Sequence, residues 1–159
     1  MSEQKITPCL WFDFNAEEAV AHYLSIFSNS RIVSLSRYGD GGPGPKGAAM
    51  TILFEIDGDR LLALNGGPQF AFTPAISLIV NCETQADVDR LWEGLCDGGK
   101  PGHCGWLTDR FGVSWQIVPS LVRKVMQSGD VDAIARAMRA IMPMTKLDVA
   151  DIQRAFDAR

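Results

Sequence analysis

At 159 residues, 47% hydrophobic and 21% charged, the chain has enough apolar material for one core or two small ones, and is not a disordered segment. A net charge of −4 leaves no basic footprint, so nucleic acid is excluded as a natural partner. The longest uncharged apolar run, residues 71–82, is too short to cross a bilayer and contains Pro74, so no membrane partner is expected.

The first predicted element is a strand in KITPCLWF. NAEEAVAHYLSIF follows as an amphipathic helix, with Ala16, Ala19, Val20, Tyr23 and Phe27 on one stripe. Asn15 and Glu18 have the spacing of a capping box at its start. SRIVSLSRY reads as a strand, and GDGGPGPKG reads as a mobile surface loop able to lid a cavity. AAMTILFEI and RLLALNG are two more strands, joined by the hairpin turn DGD.

The same order then restarts. AISLIVNCE is a strand and TQADVDRLWEGLCDGG a helix, capped by Thr84 with Asp87 three residues on. Val88, Leu91, Trp92, Leu95 and Cys96 form its stripe, and Gly98 or Gly99 suits a left-handed end. HCGWLT, the turn DRFG and the strand VSWQIVP complete the second set. Asn15 and Thr84 are separated by the same interval as Tyr23 and Trp92, so strand, helix and strands occur twice. SRIVSLSRY has only a weak counterpart, around Gly99 to Gly102. The remaining SLVRKVMQSG, DVDAIARAMRAIM and LDVADIQRAFDAR read as helices broken at Gly129 and near Pro143. The expected plan is residues 1–119 as two modules, about 5–67 and 74–119. A helical tail of residues 120–159 would pack on the body or on a partner subunit.

The strand VSWQIVP poses the functional question. Val113, Trp115 and Ile117 make one side wholly apolar, while Ser114, Gln116 and Val118 form the other, with Gln116 its single long polar side chain. Four cysteines lack zinc-finger spacing, and MSEQKITPCLWF has no long apolar leader segment; reduced thiols in the cytoplasm are the expectation.

NAEEAVAHY, CGWLTDRFGVSWQIVP and AMRAIMPMTKLDVADIQRAF together resemble the PhnB-like branch of the vicinal oxygen chelate superfamily. That superfamily contains glyoxalase I, bleomycin-resistance proteins and extradiol dioxygenases. The likeness runs from about Ile6 to the C-terminus. It implies an α+β fold in which two βαβββ modules form a cupped mixed sheet around a cavity, and a homodimer. Members of the branch are labelled demethylubiquinone methyltransferase-like. Methyl transfer calls for S-adenosylmethionine, commonly on a glycine turn after the first strand, yet Phe12 is followed by DFNAEEA.

In metal-using relatives, His and Glu from inner strands hold a divalent ion. The resemblance places these positions on Gln116, near Pro8, near Ala63 or Asn65, and near Ala75 or Ser77. None is His, Asp or Glu. The two histidines, His22 and His103, make no ligand set, and Cys104 alternates away from His103 along a strand. The reading is therefore a protein with no cofactor and no metal, binding an unknown small molecule in an apolar cavity. Its candidate contacts are Gln116, Asn65, Ser77, Trp11, Trp106 and Phe70. The alternative is a divalent-metal lyase, isomerase or dioxygenase of the glyoxalase type.

Overall fold

The computed structural model describes residues 4–158. The leader reading begins on residues 1–3 and the tail reading ends on residue 159, and at those positions both lie outside the described residues. The chain divides into two compact units, Met1–Phe72 and Thr73–Arg159. Each opens with one βαβββ module, and the class is α+β.

In the first unit β1 (Cys9–Phe12), α1 (Ala16–Ile26), β2 (Ser30–Arg37), β3 (Ala49–Ile56) and β4 (Asp59–Asn65) form a four-stranded sheet of order β1-β4-β3-β2. β1 runs parallel to β4 and the other pairs are antiparallel. The expected DGD hairpin is present. Asp57 and Gly58 take φ of 49° and 91°, the left-handed pair of a type I′ turn, which matches strand twist. Ala16, Ala19, Val20, Tyr23 and Phe27 are all buried, against Phe12, Ile52, Phe54 and Ala63 on one face of the sheet.

The cap on α1 differs from expectation. The Asn15 side chain makes no capping hydrogen bond. Asn65, at the end of β4, fills the place: its Oδ1 accepts from the Ala16 N–H at 3.0 Å, and its Nδ2 donates to the Ala49 carbonyl at 3.0 Å. The Tyr38 hydroxyl donates to the Asn65 carbonyl, so one residue ties helix, sheet and loop together. Residues 39–47, read from composition as a mobile lid, fold down on Tyr38. A Cβ on Gly44 would stand 2.4 Å from its ring, so only glycine permits that approach.

In the second unit β5 (Leu78–Cys82), α2 (Gln85–Cys96), β6 (Lys100–Pro101), β7 (Trp106–Thr108) and β8 (Ser114–Pro119) form a sheet of order β5-β8-β7-β6. The two-residue β6 is the weak counterpart anticipated around Gly99 to Gly102. Thr84 and Asp87 form the expected capping box on α2. Burial pairs Tyr23 of α1 with Leu91 of α2 instead of Trp92, because Leu91 is 4% exposed and Trp92 is only half-buried.

Three tail helices follow: α3 (Ser120–Gln127), α4 (Val131–Ile141) and α5 (Val149–Asp157). Val125, Ala137, Ile141, Leu147 and Ile152 make their own core, with Cys104 packed against it. Polar bonds fasten them to the module. Cys104 and Gly105 donate their N–H groups to the Met144 and Thr145 carbonyls at 2.8 Å, and the Gln85 amide joins Leu147 O to Val149 N.

Candidate functional site

Each sheet has one face packed on its helix and one face free of it, and the pairing register fixes which side chains share the second. In the first unit Trp11, Leu64, Thr51 and Ser36 lie in one row across the strands, and Cys9, Leu62, Leu53 and Ser34 in the next. Arg60, Glu55 and Arg31 form a third row. There Glu55 is held by Arg31 at 3.3 Å and Arg60 at 3.4 Å, and these guanidinium groups keep its carboxyl below the ordinary value against the opposing effect of burial.

This register corrects one expectation. Ala63 and Asn65 are buried beneath α1, at 0% and 2% exposure, and the helix-free positions of β4 are Leu62 and Leu64. A phase error of one residue moves a whole strand to the opposite face. Asn65 therefore meets none of the other candidates; its side chain is committed to Ala16 and Ala49.

Trp11 and Phe70 do come together, edge to face with ring centroids 5.0 Å apart. The Trp11 indole donates to the Gly67 carbonyl at 2.8 Å, and a Cβ on Gly66 would stand 2.2 Å from the ring. Phe70 is 66% exposed, so the pair presents an aromatic edge to its surroundings.

In the second unit the helix-free rows are Ile79, Gln116 and Trp106, then Ser114, Thr108 and Lys100, with Ser77 just ahead of β5. Gln116 Nε2 donates to Ser77 Oγ at 2.8 Å. Its Oε1 has no partner among the described residues, and the Ser77 hydroxyl keeps its own proton to give. The amide is thus aimed and half-used, with one acceptor and one donor side by side.

The DRFGVSWQ stretch explains that aim. Asp109 is 3% exposed, and its carboxylate accepts from Phe111 N, Val113 N and the Trp115 indole at 2.9–3.0 Å. Trp115 is thereby pinned toward α2, so its neighbour Gln116 must face the other way. The acidic residue of this stretch is a structural acceptor. Cys82 is buried, and desolvation pushes its thiol up to about 11, so it is a packed side chain and no nucleophile. His103 is exposed and stands outside the strands.

Sequence reading missed Lys100 and Thr108. Their only signal was the pair Gly99 and Gly102 around a dipeptide too short to show periodicity. Among the described residues no three His, Cys, Asp or Glu side chains gather as a metal would require.

Two βαβββ modules with helix-free faces define the class of protein. The family model for 3-demethylubiquinone-9 3-methyltransferase matches residues 4–118, and the chain belongs to that PhnB-like family. The chain is 38% identical to a putative 3-demethylubiquinone-9 3-methyltransferase, PhnB protein, from Bacillus cereus. That match has a TM-score of 0.68 and covers 73% of this chain and 99% of that one. A Pseudomonas aeruginosa protein shares the fold at 24% identity and a TM-score of 0.62, covering 74% and 98% of the two chains. No curated protein matches the chain. The family match stops at residue 118, so the tail helices lie outside it.

Proposed function

We propose that the chain binds a small organic molecule on its helix-free faces without a metal ion. The observation behind this reading is the Gln116 amide, held by Ser77 with its Oε1 open, on a sheet whose strands contain no carboxylate and no imidazole. A divalent ion needs several anionic or imidazole donors to replace its water. Sheet residues do not supply them: Glu55 is the only carboxylate on the helix-free face of the first sheet, and two arginines already claim it. The family label would require S-adenosylmethionine, and the turn between β1 and α1 disfavours it. Asp13, Phe14 and Asn15 stand where a glycine turn would, and Asn65 occupies the first N–H of the helix.

The same reading includes a cytoplasmic homodimer. Support comes from four unpaired thiols and from the edge strand β2, where Ile32 and Leu35 are 49% and 41% exposed. Among the described residues no helix is long and apolar enough to cross a membrane.

The test is elemental analysis of the purified protein, followed by amide NMR with small aromatic probes in the presence of chelator. The expected result is no stoichiometric transition metal, with probe-induced shifts at Gln116, Ser77 and Trp106 that chelator leaves unchanged. Tightly bound nickel, zinc, manganese or iron would overturn the reading in favour of metal-dependent catalysis.

A further inference from the structure

The four strands of the second sheet, LIVNC, KP, WLT and SWQIVP, contain a single charged residue, Lys100. Its position is built. A Cβ on Gly99 would lie 2.3 Å from the Thr108 carbonyl oxygen, and one on Gly102 would lie 2.8 Å from that of Trp106. The backbone of β7 thus occupies the space that side chains at either end of β6 would need. Between these glycines, Lys100 pairs with Thr108 and Pro101 with Leu107. Directly opposed residues of an antiparallel pair point to the same face. Leu107 is buried on the α2 side, so Lys100 projects on the Gln116 side, in the row of Thr108 and Ser114.

The contrast with the first sheet sets the sign. There Arg31 and Arg60 are paired with Glu55, and Arg37 with Glu17. Lys100 has no ion pair among the described residues. From residue 100 to 119 the only carboxylate is Asp109, which is turned away and bound to Trp115. We infer that Lys100 is the specificity-determining residue of the Gln116 face and selects an anionic ligand, a small aromatic carboxylate or similar oxyanion. Its ammonium would meet the anionic end, the hydroxyl of Thr108, directly opposite on β7, would donate beside it, and the Trp106 ring would cover the apolar body. This inference rests on the small-molecule reading above and names its ligand class.

The test uses the full chain and two probes of equal shape, benzoate and uncharged benzyl alcohol, followed by amide and indole NMR shifts. Benzoate should move Thr108, Gln116 and the Trp106 indole. Lys100→Ala should weaken benzoate about tenfold, as expected for one charge-assisted contact, and Lys100→Arg should restore it. Lys46→Ala, which removes a lysine paired with Asp40 in the other unit, should change nothing. Benzyl alcohol binding as tightly as benzoate, or benzoate indifferent to Lys100→Ala, would overturn the anionic preference while leaving the small-molecule reading intact. If neither probe moved these resonances, the small-molecule reading itself would fall.

Discussion

The two modules meet the same problem, the unpaired N–H groups at a helix start, by opposite means. In the second, Thr84 and Asp87 cap α2 from within three residues of each other. In the first, the cap on α1 comes from Asn65, 49 residues away in sequence. A local cap forms as soon as its helix does. A remote cap makes the helix start depend on a completed sheet, so folding of the first module is cooperative by construction. The polar interior differs in the same way: Asn65 joins three elements of the first module, whereas Asp109 organises one turn and the strand after it in the second.

Asp109→Ala should have the largest effect. It strips a buried carboxylate from three donors, which corresponds to about 3 kcal/mol of lost stability in urea unfolding. A loss below about 1 kcal/mol would mean that the turn holds itself and that Trp115 needs no acceptor. Asn65→Ala comes next, at about 2 kcal/mol, because the Ala16 N–H and Ala49 carbonyl lose their partner together. Its signature is faster hydrogen exchange at both the start of α1 and β3. Exchange rising in the helix alone would contradict the coupling.

Thr84→Ala should be milder, about 1 kcal/mol, with exchange changes confined to the first turn of α2. This cap also has a pH dependence of known sign. The Thr84 hydroxyl bond, ahead of the backbone bond and Arg90, holds the Asp87 carboxyl below its ordinary 3.8. A lowered folded-state value means that the ionised group stabilises the fold above the ordinary carboxylate range and stops doing so as pH falls through the lowered value. Thr84→Ala should bring the Asp87 titration back toward 3.8, readable by carboxyl carbon NMR. A titration that does not move would show that hydrogen bonding is not its cause.

What the sequence revealed follows the same division between local and remote. The repeated βαβββ order, the Asp-Gly hairpin and the α2 capping box are written in short spacings and are present in the fold. The outward aim of Gln116 was legible because VSWQIVP puts large apolar side chains on one side only. LLALN offered no such guide. It is apolar on both faces, so Ala63 and Asn65 were assigned to the wrong one. Lys100 was invisible for another reason: a two-residue strand has no period, and its place comes from backbone contact that glycine alone permits. The capping role of Asn65 needed the third dimension.

The seam formed by Cys104, Gly105 and Gln85 with residues 144–149 has a consequence for how the chain emerges from the ribosome. The first module is complete in the nascent polypeptide before any residue of the second has been translated. The second must wait with the Cys104 and Gly105 amides unsatisfied until residues 144–149 have been translated. A premature stop ahead of Met144 would therefore damage a sheet whose own codons were translated intact.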